Sequence, residues 1–374
     1  MEGKKVEFLY LSEPDMIKAG VLDMSSCVQV IDETFKLLGQ GDYLMGGPME
    51  NSHGLMLWFP KEPRGGHMPV AGPDRRFMAM PAYLGGRFNV AGQKWYGSNV
   101  ANPARGLPRS ILMVTLNDID TSEPLAHMSG NLVSSMRTGA VPGVATKYLQ
   151  SDGASVIGVI GAGVISRACL LAIAETLKNK KEARVYDLVK EKSQAFSDEM
   201  KALTGIDVHP VDTLEEAVRG CDIISVATSG AAQAEIKDEW VKAGAVIALT
   251  GTAKISDQLY MDSRIVVDNW KMHEEWIAEG QTHPDGIDSI MSWAPSAPLL
   301  KLYLDGRKKR EDIHSLGDIA LGSEPGRTDN KEKIIFVTGG MPVEDVAWAY
   351  QVYCRAKEQG IGQKLLLWDS PHWF

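Results

Sequence analysis

Cysteine is scarce in this chain. There are 4 in 374 residues, Cys27, Cys169, Cys221 and Cys354, and none has CxxC spacing. That excludes a disulfide framework or a zinc ribbon and fits free thiols in a reducing compartment. Cys27, Cys169 and Cys354 lie on apolar-periodic stretches, where a thiol is ordinary core filler. Long apolar runs are missing too: no segment approaches the roughly 18 residues of a membrane span. No apolar run follows Met1-Glu2-Gly3-Lys4-Lys5, so no signal peptide is expected and a cytoplasmic location is. Positive charge is in deficit, with 39 Lys and Arg against 48 Asp and Glu and a net charge of -9. A nucleic-acid binder would show a clustered basic footprint instead. The densest basic run, Arg307-Lys308-Lys309-Arg310, meets Glu311 and Asp312 at once and reads as a solvated turn. The 8 histidines contain no HExxH and no short-spaced ligand pair, so no metal site is expected, and no Ser-His-Asp arrangement is legible.

What is present is a core. Hydrophobic residues make up 44% of the chain, and the length suits two domains of about 100–200 residues each. Ser12 with Asp15 forms a capping pair, and Asp23 suits the N-cap of a helix whose Met24, Cys27, Val28, Ile31, Phe35 and Leu38 recur at helical spacing. Residues 46–93 are loop-rich, with short strands at Leu55–Phe59 and Arg87–Ala91. A stronger strand covers 110–116, and a helical pattern interrupted at Gly139 and Pro142-Gly143 runs from Leu132 to Leu149.

From residue 155 the texture changes. A buried-strand run at 155–160 and strand-like runs at 183–187, 222–227, 245–249 and 264–267 alternate with helical segments, the signature of βαβ units and a parallel sheet. The fold class expected is α/β: a Rossmann domain over 151–323 and an α+β domain made of 1–132 with 324–374, joined by a helix at 133–150. In the tail, Ile334–Thr338 reads as a strand and Gly339-Gly340 as a turn. Pro342, Glu344 and Asp345 suit the first turn of a helix that packs back on the first domain.

Gly161-Ala162-Gly163-Val164-Ile165-Ser166 follows the 155–160 strand directly and opens an apolar helix. Gly161 permits the tight turn, Gly163 lets the backbone approach a pyrophosphate, and a small residue at 166 allows close helix–strand packing. The free N–H groups of the helix start then face the phosphate charge. A serine stands where the pattern has its third glycine. Asp187 ends the second strand roughly 20 residues beyond this loop, where an acid accepts a bond from a ribose hydroxyl and repels a 2′-phosphate. NAD is favoured over NADP, with Lys190 and Lys192 acting in the opposite sense. Thr228 and Gly251, just past the next two strands, are the remaining expected cofactor contacts.

Gly92-Gln93-Lys94-Trp95, Asn102-Pro103, Gly106-Leu107-Pro108, Met136-Arg137-Thr138-Gly139-Ala140 and Thr338-Gly339-Gly340-Met341-Pro342-Val343-Glu344-Asp345 stand outside that fingerprint. Together with Met80-Pro81-Ala82-Tyr83, Gly317-Asp318 and Gly326-Arg327, they resemble the ornithine cyclodeaminase/mu-crystallin family, in order and over nearly the whole chain. The resemblance implies a substrate and dimerisation domain beside the Rossmann domain, with substrate facing the nicotinamide. It implies a homodimer acting on a small amino acid, amine or imine, with no nucleic-acid or membrane partner. Arg137 matches the arginine that binds the substrate carboxylate, a task suited to a planar guanidinium. Lys94 matches the lysine near the reacting carbon, able to polarise an imine or move a proton. Glu50 and Gly340 complete the expected substrate contacts. Both Lys94 and Arg137 have a competing reading as surface ion-pair partners. That reading is less favoured for Arg137, whose neighbours Thr138-Gly139-Ala140 leave room for a ligand.

The departures are informative. Cyclodeaminases of this family carry an aspartate shortly after the fifth Rossmann strand, in a Gly-x-Asp pattern. Here the stretch is Thr250-Gly251-Thr252-Ala253-Lys254, with Ala253 in the acid's place. A second family arginine, early in the substrate domain, is missing around Gly47-Pro48-Met49-Glu50-Asn51, and Arg75-Arg76 is a possible substitute. The chain also carries extra residues around 53–76 and 282–310. The second stretch, with Trp293, Pro295 and Pro298, reads as a cover over the cleft or as a surface excursion. The expected function is an NAD-dependent oxidoreductase acting on an amino acid, an amine or the matching imine by hydride transfer. The alternatives are an ornithine cyclodeaminase that recycles NAD internally and a cofactor-binding accessory protein such as an amine-oxidase subunit.

Overall fold

The structure is a computed structural model that describes residues 3–228, 233–283, 285–291 and 293–373. In chain order the elements run β1 (Val6–Leu11), α1 (Glu13–Lys18), α2 (Met24–Gln40), β2 (Tyr43–Met45), β3 (Leu55–Trp58), β4 (Arg76–Leu84), β5 (Val90–Ser98), β6 (Ser110–Asp118), β7 (Pro124–Ser129) and α3 (Asn131–Leu149). They continue with β8 (Val156–Ile160), α4 (Val164–Thr176), β9 (Glu182–Tyr186), α5 (Lys190–Thr204), β10 (Asp207–Pro210), α6 (Leu214–Val218), β11 (Ile223–Val226), β12 (Ala234–Ile236), β13 (Val246–Leu249), β14 (Ala253–Ile255), α7 (Asp257–Asp262) and β15 (Arg264–Val267). The last are α8 (Trp270–Thr282), α9 (Asp288–Met291), α10 (Ala297–Leu304), β16 (Ile313–Ser315), α11 (Leu316–Leu321), β17 (Ile334–Val337), α12 (Pro342–Gln359) and β18 (Gln363–Trp368). Among the described residues no helix is long and apolar enough to cross a membrane.

Two compact units emerge. The first comprises Met1–Asp23, Asp42–Ser134 and Met341–Phe374. Its sheet has the order β18-β1-β7-β6-β5-β4-β2, with β3 added beside β4. Alternation sends Met78 and Met80 of β4, Val114 and Leu116 of β6 and Ala126 and Met128 of β7 to one buried face. That face is covered by α12, whose Val343, Val346, Trp348 and Val352 are fully buried. The indole N–H of Trp348 donates to the Val21 carbonyl at 3.2 Å. At the chain start, Ser12 and Asp15 form the expected capping box on α1. The opposite sheet face leaves Phe77, Trp95, Ile111 and Met113 exposed, and the rings of Phe77 and Trp95 stack at 5.7 Å.

The second unit comprises Met24–Gly41 and Ser135–Gly340. It is built on an eight-stranded sheet of order β10-β9-β8-β11-β13-β17-β15-β16, parallel throughout. β11, β13 and β17 are buried at every position, which is why they read as unbroken apolar runs. Two segments sit elsewhere than the expected domain limits put them. Ile334–Val337 belongs to this parallel sheet, because it hydrogen-bonds β13 on one side and β15 on the other. α2 also belongs to this unit, held by α11 and α4. At its C-terminal end a Cβ on Gly39 would stand 2.6 Å from the Gly317 carbonyl, so the two helices meet there backbone to backbone. Asp32 of α2 further accepts the Tyr148 hydroxyl of α3 at 2.6 Å.

Three local expectations change. α3 is one continuous helix through Pro142. Gly139, read as room for a ligand, serves packing instead, as does Gly143. A Cβ on Gly139 would lie 2.4 Å from the Ala168 Cβ, and one on Gly143 2.6 Å from that of Ala172, so α3 nests against α4 through two small residues one turn apart. In the basic run, Lys308 is buried rather than solvated and donates to the carbonyls of Met261 and Ser263, each at 3.3 Å.

Candidate functional site

Parallel strands β8 and β11 are neighbours, while the chain leaves β8 toward β9 on the far side. This reversal opens a crevice beyond the carboxyl ends of the strands, where doubly wound sheets take their ligands. Gly161 turns the chain there with φ +96°, and a Cβ on it would come within 3.1 Å of the Ala227 carbonyl. Gly163 forms the N-cap of α4, and a Cβ on it would meet nothing within 4 Å, so the backbone faces open space. A cavity of about 770 Å³ lies against this turn, lined by Gly161, Ala162, Gly163, Val164, Asp187 and Thr228 among others.

Asp187 closes the loop on the end of β9. Its carboxylate accepts the Ala162 N–H at 2.9 Å through one oxygen and the Val189 N–H at 3.0 Å through the other. Ser166 replaces the third glycine without strain: it is fully buried, and its hydroxyl donates to the Ala227 carbonyl at 3.4 Å. Ile165, Ser166 and Gly251 do not line the cavity. Gly251 instead permits a close approach, since a Cβ there would lie 2.7 Å from the Thr228 carbonyl. Of the two nearby lysines, Lys192 lines the cavity. Lys190 is exposed and paired with Asp212 at 2.5 Å, a partner that raises its pKa. Arg167 also lines the cavity, a contact the sequence reading missed. Its place on the first turn after the glycine loop was the available signal.

In the first unit, the register of β4, β5 and β6 sets Lys94 between Met80 and Val114 on the buried face. Its ammonium pairs with the Asp345 carboxylate at 2.7 Å, lies 3.3 Å from the Ser134 hydroxyl and sits over the Tyr96 ring at 5.6 Å. Asp345 is on the first turn of α12, where the helix dipole favours a negative charge. Lys94 is only 2% exposed and Asp345 is fully buried, which excludes the surface ion-pair reading of Lys94. Asp345 was legible only as a favourable helix-start charge. The register that brings Lys94 to it is a tertiary fact.

Arg137 is likewise buried, at 4% exposed, and is no surface residue. Its guanidinium lies against Gly340, which has φ +76°. A Cβ on Gly340 would stand 2.7 Å from Nη1. The structure thus brings these two expected substrate contacts together within the second unit. The turn that carries Gly340 is held by Asp268, at the carboxyl end of β15. Asp268 accepts the Thr338 hydroxyl at 3.0 Å, the Gly339 N–H at 2.7 Å and the Gly340 N–H at 3.1 Å through one oxygen. Its other oxygen accepts the Asn269 N–H at 2.8 Å and His273 Nε2 at 3.0 Å. Burial alone would push this carboxyl up. The hydrogen bond and charge of His273 and the N–H groups of Asn269 and Gly339 outweigh burial and hold it below the usual carboxylate value.

Glu50 sits on an exposed turn with φ 59°. Ala253 is buried in β14, just past the end of β13, and pairs with Ala234 of β12. Among the described residues no group of three or more His, Cys, Asp or Glu side chains could hold a metal ion.

Residues 21–360 match the description of the ornithine cyclodeaminase/mu-crystallin family. The chain belongs to that family. Among its curated relatives is N-((2S)-2-amino-2-carboxyethyl)-L-glutamate dehydrogenase of Staphylococcus aureus, 28% identical over 97% of this chain and 99% of that one. Alanine dehydrogenase of Archaeoglobus fulgidus is 31% identical over 77% of this chain and 82% of that one. Among solved structures, Thermococcus litoralis Δ1-pyrroline-2-carboxylate reductase with NADH and L-proline is 27% identical, with a TM-score of 0.76 over 95% of this chain and 99% of that one. An archaeal alanine dehydrogenase dimer with bound NAD is 26% identical, with a TM-score of 0.77 over 97% of this chain and 100% of that one. Members of the ornithine cyclodeaminase/mu-crystallin family thus include dehydrogenases and reductases of amino acids and imines.

Proposed function

We propose that the protein is an NAD-dependent oxidoreductase that interconverts an amino acid, or an amine, and its imine. The observation that carries this is the cavity formed by the Gly161 turn and Asp187 in a chain of this family. A dinucleotide fits the residues there: Gly163 leaves an open approach to the backbone, and the N–H groups at the start of α4 suit a pyrophosphate. Gly161, Ala162, Gly163 and Val164 would hold the phosphates, Asp187 a ribose hydroxyl, and Thr228 the adjoining wall. Bound there, the nicotinamide supplies a hydride acceptor or donor.

In this reading Arg137 orients the substrate carboxylate, and Lys94 provides positive charge and a proton near the reacting carbon. Asp345 holds the Lys94 ammonium in place through the 2.7 Å ion pair. Ala253 offers no base for expelling ammonia, so the redox reaction is favoured over cyclodeamination. The exposed apolar face around Phe77, Trp95, Ile111 and Met113 supports a homodimer, and the four cysteines, none of them in a disulfide, support a reducing, cytoplasmic setting.

The test is purified protein incubated with NAD and a panel of amino acids and amines, and with NADH and cyclic imines, followed at the absorbance of NADH. Net change in NADH with an amino acid, amine or imine is expected. Proline formed from ornithine without net NADH would overturn the redox reading, and tight cofactor binding with no turnover would favour an accessory role.

Cofactor choice follows from Asp187. NAD is expected to bind more tightly than NADP, since a 2′-phosphate would approach a carboxylate already accepting two backbone N–H groups. Asp187→Ser removes that charge while Arg167 and Lys192 remain, so the preference should narrow or reverse. Fluorescence titration with NADH and NADPH measures both. Equal dissociation constants in the unaltered protein would sink this assignment.

A further inference from the structure

Behind the Gly339-Gly340 turn lies a chain of buried polar groups that the function proposed above does not use. His273, on α8, donates from Nε2 to Asp268 at 3.0 Å, and its Nδ1 faces the Ser296 hydroxyl at 3.1 Å. The carboxylate fixes a proton on Nε2, which holds the ring in one orientation with Nδ1 against the Ser296 hydroxyl. Asp268, His273 and Ser296 are all fully buried. No substrate reaches Ser296, so this Ser-His-Asp order is not a nucleophile with its base. Trp276 fills the space beside the turn, with its ring 2.4 Å from where a Cβ on Gly339 would stand, and Trp293 packs edge-on against Trp276 at 5.1 Å. Ser296 and Trp293 both come from the 282–310 stretch. That stretch folds into α9 and α10, with Leu299 and Leu300 fully buried.

We propose that Asp268, His273 and Ser296, the residue that precedes α10, form a positioning relay for Arg137. The relay fixes the N–H groups of Gly339 and Gly340. Gly340 forms the wall against which the guanidinium lies, so its plane and reach are set by groups that never touch substrate. A buried carboxylate with five donors holds a turn more rigidly than backbone pairing would, because a charge raises the strength of each bond. The inference rests on Arg137 being the carboxylate ligand.

The test uses the full chain with His273→Phe, which removes both ring nitrogens, and His273→Gln, which keeps a donor toward Asp268. Two readouts are followed: amide hydrogen exchange over residues 338–340, and KM against kcat for Δ1-pyrroline-2-carboxylate with NADH. With His273→Phe, exchange at Gly339 and Gly340 is expected to accelerate by about tenfold or more as the turn opens locally. KM should rise about tenfold while kcat falls less than about threefold, with the NADH dissociation constant unchanged. His273→Gln should restore most of both. Should His273→Phe fail to fold, Ser296→Ala reads the same two quantities, with a smaller change in the same direction. Unchanged exchange at 338–340 in a folded variant overturns the proposal, as does an unchanged KM in a protein where Arg137→Lys raises it. If Arg137→Lys itself leaves kcat/KM untouched, the carboxylate role of Arg137 fails instead, and the exchange measurement still judges the relay.

Discussion

Lys94→Met is expected to lower stability by about 3–5 kcal/mol and to abolish turnover, the largest loss at any single position. The stability cost arises because the Asp345 carboxylate is fully buried and pairs with Lys94 at 2.7 Å. Removing one member of a buried pair strands the other charge, a cost of about 3–5 kcal/mol. Asp345→Asn should destabilise for the same reason. The double variant Lys94→Met/Asp345→Leu separates the two effects. Replacing both charges by apolar side chains should recover most of the stability, while activity stays lost if the ammonium takes part in the chemistry. Urea unfolding followed by circular dichroism measures the first, and NADH absorbance the second. A folded double variant with near-normal turnover would reduce Lys94 to a structural ion pair.

Arg137→Lys is expected to reduce kcat/KM by about 10- to 100-fold, since losing a charge-assisted bidentate contact costs about 1.5–3 kcal/mol. The substitution keeps the charge and loses the fork. Gly340→Ala should mimic it from the other side: its Cβ would stand 2.7 Å from the guanidinium, at a φ of +76° that alanine resists. Steady-state kinetics on the substrate found by the panel decides both. Full kcat/KM in Arg137→Lys, with the fold intact, would remove the guanidinium from substrate binding.

The parts legible in the sequence were those whose causes are local. β8, β11, β13 and β15 announce themselves as short apolar runs, because strands covered on both faces need no alternation. The glycine turn and Asp187 are close in sequence terms, and a fixed βαβ geometry links them. What stayed hidden depends on pairing across long separations. Lys94 meets Asp345 across 251 residues, and Asp268 meets Thr338 across 70. Neither spacing leaves a trace in composition or period. Ser296 and His273 were invisible for a related reason. Histidine and serine are common on solvated surfaces, and only burial turns them into a relay. The small residue Gly139 beside Arg137 was legible but carried the wrong meaning, since it accommodates Ala168 of α4 rather than a ligand.

The place of β17 in the sheet bears on how the chain is made. It lies between β13 and β15, yet it leaves the ribosome after both of them. Until Ile334–Val337 has emerged, β13 and β15 each present an unpaired edge to whatever lies nearby in the cell. The first unit waits as well, because its α12 and β18 follow β17 in the chain. Both halves of the protein therefore close only after residue 334 has emerged, and a ribosome stalled short of it holds a chain in which neither sheet is finished.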